Sequence, residues 1–118
     1  FLTQKLLAQS AVFNFATDDD YPPDQIEYIG ERIETYLGKK QKFYLFKVCF
    51  EYEDEEPTCY FGVAGPYSLD QKKMESNDDV TEIYWDEDFD SEKINEWLKD
   101  MIKRTEEWVK ERDAKKKD

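Results

Sequence analysis

Residues 42–52 alternate. Tyr44, Phe46, Val48, Phe50 and Tyr52 fall on one side of an extended chain, while Phe43 and Leu45 open the other side before Lys47 and Glu51 turn it polar. A period of two over this length is a strand pattern, and no other segment limits the possible folds as tightly. The acidic run Glu53-Asp54-Glu55-Glu56 interrupts it, Pro57 keeps the break open, and a second apolar run returns over Thr58–Ala64 before Gly65-Pro66. Two such runs about an acidic turn predict an antiparallel hairpin. Its register decides the state of the cysteines. An even sum of paired residue numbers, 108, sets Cys49 directly opposite Cys59. A two- or four-residue loop centred on Asp54 and Glu55 instead gives an odd sum, which pairs the face of Phe46, Val48 and Phe50 with Cys59, Phe61 and Val63. The odd register is the one expected, and it leaves two free thiols on opposite faces.

The helical period appears on both sides of this hairpin. Asp90 or Ser91 caps a long C-terminal helix. Within it Ile94, Trp97, Leu98, Met101, Ile102, Trp108 and Val109 lie in a sector of about 140°, taking about 100° per residue. Its other face carries the four-apart pairs Asp100 with Arg104 and Glu106 with Lys110. Residues 2–13 predict a first helix, with Leu2, Leu6, Gln9 and Phe13 on one side and Val12 beside them. Residues 22–38 predict a second. Pro22 and Pro23 suit a first turn, Asp24 and Glu27 suit the positive end of a helix dipole, and Ile26, Ile29, Ile33 and Leu37 form a stripe. Gly38 is placed to end that helix in the left-handed conformation. Residues 68–79 read as a polar loop, residues 80–85 as a third strand, and residues 113–118 as a frayed basic tail. The fold expected is α+β: one domain over residues 1–118, with a small antiparallel sheet of about three strands, helices packed on one face, and the order α-α-β-β-β-α.

Charge narrows the partners. The chain holds 29 acids and 17 bases, a net of −12. Residues 1–90 carry 21 of the acids and 8 of the bases, so the C-terminal helix is nearly neutral by itself. A field of this sign repels nucleic acid and anionic lipid and attracts basic proteins. No run of about 18 apolar residues spans a membrane. Two cysteines are too few for a disulfide scaffold, and a cytoplasmic location is the expectation. A chain that starts at Phe1 fits a trimmed or processed N-terminus.

Several chemistries lack their residues. There is no histidine, which removes Ser-His-Asp and Cys-His catalysis and imidazole zinc sites. There is no Cys-x-x-Cys pair. Gly62 and Gly65 precede no Lys-Ser or Lys-Thr, so they do not make a phosphate loop. Asp86, Asp88 and Asp90 imitate the start of a calcium loop, but Ser91 stands where its glycine belongs and Trp97 where its bidentate glutamate belongs. No metal, cofactor or catalytic residue is assigned.

Aromatic residues make up 16% of the chain, more than one small core can absorb. Phe46, Phe50, Phe61, Trp97 and Trp108 read as core, and Tyr21, Tyr28, Tyr60, Tyr67 and Tyr84 as surface. Tyrosines among carboxylates are good interface material, because they give rigid contact area at little entropic cost. The candidate partner-binding residues are therefore Glu53, Asp54, Glu55, Glu56, Tyr60, Tyr84, Trp85, Asp86, Glu87 and Asp88. The function expected is a non-enzymatic acidic binding domain, of the inhibitor or immunity-protein kind, docking on a basic protein. The alternatives are an accessory domain of a longer protein and a small carboxylate-based hydrolase.

Overall fold

The computed structural model describes residues 3–17, 21–73, 80–85 and 90–116. Helix α1 (Gln4–Ala16) is followed by strands β1 (Gln25–Tyr36), β2 (Lys39–Phe50), β3 (Thr58–Tyr67) and β4 (Val80–Tyr84), and helix α2 (Ser91–Lys116) closes the order. The four strands form one antiparallel sheet in sequence order, β1-β2-β3-β4. The fold is α+β with an antiparallel sheet, as the sequence predicts. The element order is α-β-β-β-β-α, because the segment expected to be a second helix is β1.

The reason lies in β1's composition and in one irregularity. Ile26, Tyr28, Ile29, Ile33, Thr35 and Tyr36 are β-branched or aromatic, types that favour a pleated surface. Between Tyr28 and Gly30 the pairing with β2 slips by one residue, a β-bulge. Ile26 pairs with Val48 and Ile33 with Lys42, so both face the same side although they are seven apart. An odd spacing that shares a face imitates a helical stripe. The stripe is not buried: Ile29, Ile33 and Leu37 are 47%, 54% and 38% exposed. Gly38 does take the left-handed conformation, at φ 78°, but beside Leu37 at φ 52° it forms the two-residue turn from β1 to β2. Positive φ at both positions is the hairpin turn whose twist matches the strands.

The helices occupy opposite faces of the sheet, not one. Tyr44, Phe46, Val48 and Phe50 of β2 cluster with Ala64 and Tyr67 of β3, Ile83 of β4, and Ala8, Val12 and Ala16 of α1. Phe43 and Leu45 of β2 cluster with Phe61 and Val63 of β3 and with Ile94, Leu98, Met101, Ile102 and Val109 of α2. Both alternating sets of the central strands are apolar, so each face needs its own cover. Trp108, predicted as core, is 54% exposed near the end of α2.

Helix α1 buries Gln4, Ala8, Val12 and Ala16, a stripe rotated from the predicted one, and Leu6 is 45% exposed. Its buried residues are mostly small, and the strand beneath has Gly62. A Cβ there would lie 2.9 Å from both Val12 Cγ1 and Ile83 Cδ1, so the helix sits against bare backbone. Gln4 is buried because every polar atom of its side chain has work. The two hydrogens of its Nε2 are shared among the carbonyls of Ser68, Asp70 and Lys73, and its Oε1 accepts from the Tyr44 hydroxyl at 2.9 Å. Asp90 caps α2, with the Lys93 amide donating to its Oδ1 at 2.8 Å. The helix runs on to Lys116 through most of the predicted tail. No helix of the described residues is long and apolar enough to cross a membrane.

The hairpin takes the even register. Cys49 pairs with Cys59 and Val48 with Tyr60. The loop is odd-numbered and centred on Asp54, which takes φ 65°. Short polar side chains such as Asp tolerate that conformation. Cys49 and Cys59 consequently form a disulfide, with their Cα atoms 4.0 Å apart, and the expectation of free thiols is corrected.

Candidate partner-binding site

The α1-side face of the sheet carries a row of rings at its hairpin end, and local pairing builds it. The segment 21–24 lies along the end of β2. The Asp24 amide donates to the Cys49 carbonyl at 2.9 Å, and the Asp24 carboxylate accepts from the Glu51 amide at 2.6 Å. The Tyr21 hydroxyl donates to the Glu51 carbonyl at 3.1 Å. These bonds set the Tyr21 ring between Phe50 and Tyr52, with centroids 6.3 and 6.2 Å away and planes within 22° and 7° of parallel. Phe50 continues edge-on to Tyr60 at 6.1 Å, and Tyr60 to Trp85 at 4.9 Å. All four separations fall in the range where aromatic pairs attract.

The row is rooted at its middle and open at its ends. Phe50 is 6% exposed, Tyr60 half-buried, and Tyr52, Tyr21 and Trp85 are 41%, 47% and 54% exposed. Directly beyond it, Glu53, Asp54, Glu55 and Glu56 make the exposed turn joining β2 to β3. The fold thus gathers the acidic turn, Tyr60 and Trp85 at one end of the sheet. The Cys49–Cys59 bond lies one residue before both Phe50 and Tyr60 and holds their strands together.

Tyr84 does not belong to this site. It points to the α2 side, where its ring lies 5.5 Å from Trp97. Asp86, Glu87 and Asp88 lie outside the described residues. Tyr67, predicted at the surface, is 3% exposed. Sequence reasoning missed Tyr21, Phe50 and Tyr52 as site residues. The alternation of Phe50 and Tyr52 was visible in the chain, but the docking of Tyr21 depends on hydrogen bonds to a strand about 30 residues away.

No family model, curated protein or solved structure matches this chain. Among the described residues, no three or more Cys, Asp or Glu side chains gather as a metal ion requires. The exposed rings offer flat apolar contact and cation–π faces, and the turn offers carboxylates free to meet a cation in solvent.

Proposed function

We propose that this chain is a non-enzymatic binding domain that docks on a basic protein through the aromatic row and the acidic turn. The observation that carries the reading is the adjacency of three exposed rings (Tyr52, Tyr21 and Trp85) and the Glu53–Glu56 turn at one end of the sheet. Aromatic residues are the usual anchors of interfaces, and rim charges set the encounter rate more than the final affinity. The net charge of −12 favours a basic partner over nucleic acid or an anionic membrane.

The test is capture of partners from the source lysate at low and high salt, with the wild type and two variants. Trp85→Ala with Tyr52→Ala removes anchors and speeds dissociation of the captured protein. Replacing Glu53, Asp54, Glu55 and Glu56 by their amides slows association about ten-fold at low salt and leaves dissociation unchanged. Binding that ignores both salt and the ring variants refutes the reading.

Disulfides persist in oxidising surroundings, so the Cys49–Cys59 bond supports a working location there and speaks against the cytoplasm. A second reading, an accessory domain of a longer protein, has one observation behind it. Phe15 of α1 and Trp108 of α2 are 50% and 54% exposed and flank an open apolar groove of about 510 Å³ beside β4.

A further inference from the structure

On the α2 side, away from the aromatic row, a shallow, solvent-open cavity of about 480 Å³ lies between the β1 bulge and the start of α2. This is the size range of small-molecule pockets. Its floor is apolar: Leu45, Phe61 and Ile94 are 7%, 4% and 6% exposed, and Ile29 and Gly30 of the bulge form a wall. A Cβ on Gly30 would meet nothing within 4 Å, so the space directly beside this part of the bulge is open.

The charged groups around the cavity differ in what they are committed to. Glu31 contributes to the lining, but the bulge turns its carboxylate to the other face, 3.7 Å from Lys42 Nζ. Asp90 holds the first turn of α2 through the Lys93 amide. Arg32 pairs with Phe43 in register and faces the α2 side. Of the three arginines, Arg104 pairs with Glu82 and Asp100, and Arg112 with Asp113. Arg32 makes no ion pair among the described residues. A guanidinium at the edge of an apolar cavity recognises a planar carboxylate, which it can hold by two parallel hydrogen bonds.

We infer that this cavity binds a small monocarboxylate with a compact apolar body, the body on Leu45, Phe61 and Ile94 and the carboxylate on Arg32. The site is independent of the aromatic row. It lies on the opposite face and is untouched by the variants that test docking.

The probe is 2-naphthoate, with 2-naphthalenemethanol as its neutral counterpart, titrated into the full chain and followed by amide NMR shifts and calorimetry. Naphthoate is expected to bind saturably and to shift the amides of Gly30, Leu45, Phe61 and Ile94. The alcohol is expected to bind about ten-fold or more weakly, because it forfeits the charge-assisted bonds. Arg32→Met should lower naphthoate affinity by the same factor and leave the alcohol's unchanged, and Arg32→Lys should restore part of it. A circular dichroism melt confirms that each variant is folded. Absence of saturable binding at millimolar probe overturns the inference. So does equal binding of acid and alcohol, or shifts confined to Tyr21, Tyr52 and Trp85.

Discussion

Removing the Cys49–Cys59 bond tests the hairpin register on which the candidate site depends. The bond closes a loop with a sequence separation of 10. In the chain-entropy relation, a loop of that length restricts the unfolded state by about 2.7 kcal/mol at 25 °C. The entropy of unfolding for 118 residues is about 250 cal/mol/K near 60 °C, so the same loss lowers Tm by about 11 °C. The variant is Cys49→Ala with Cys59→Ala, since alanine avoids burying a hydroxyl where Cys49 is 6% exposed. Urea unfolding of variant and wild type, the latter with and without a dithiol reductant, measures the difference. Reduced wild type and variant should both fall short of oxidised wild type by about this amount. The variant should also bind a partner more weakly, because Phe50 and Tyr60 follow the two half-cystines directly. If the native protein titrates with two free thiols, or reductant leaves the urea midpoint in place, the cysteines are not register partners and the aromatic row is wrongly assembled.

Three further outcomes follow from particular contacts. Leu37→Asn places a residue that tolerates positive φ beside Gly38 and should stabilise the protein by about 1 kcal/mol in urea unfolding. Gln4→Ala leaves the carbonyls of Ser68, Asp70 and Lys73 and the Tyr44 hydroxyl without their shared partner, and should cost about 2 kcal/mol in the same assay. Tyr44 has its pKa raised by burial first, and then by the charges of Glu31 and Tyr28; Tyr28 is raised by burial and then by Glu31. The fold favours their neutral forms, so this stability is complete below the ordinary tyrosine pKa of about 10 and is lost as pH rises through the higher folded values. Melting temperatures taken from pH 9 upward should decline, and Tyr44→Phe should flatten the decline.

How much of the fold could be read from the chain depended on whether local pattern and tertiary environment agreed. They agree for β2, whose alternation is long, and for β3, an apolar run set off from it by a charged turn. They agree also for α2, where Ile94, Leu98, Met101, Ile102 and Val109 are buried as their spacing requires. They disagree at β1, where a bulge lets Ile26 and Ile33 share a face at helical spacing. The pair Pro22-Pro23 then strengthened the wrong alternative by resembling a helix start. The rotation of α1 was hidden for a different reason. Its buried face is chosen by Gly62 on a distant strand and by the carbonyls that Gln4 satisfies, and hydropathy ranks neither above Leu6.

The candidate site shows the same division. The acidic turn, Tyr60 and Trp85 were legible because charge and ring content are properties of residues. Their assembly was not, because it turns on one unit of register. In the odd register Tyr60 moves to the α2 face and leaves the row; in the even register it joins Phe50 and lies against Trp85. The pairing of Phe50 with Thr58 makes the loop odd-numbered, and Asp54 at its centre takes the left-handed conformation. The same register that pairs the cysteines therefore also assembles the rings. A substitution at the turn that keeps the chain length but shifts the loop to an even count should lose the disulfide and the aromatic row together.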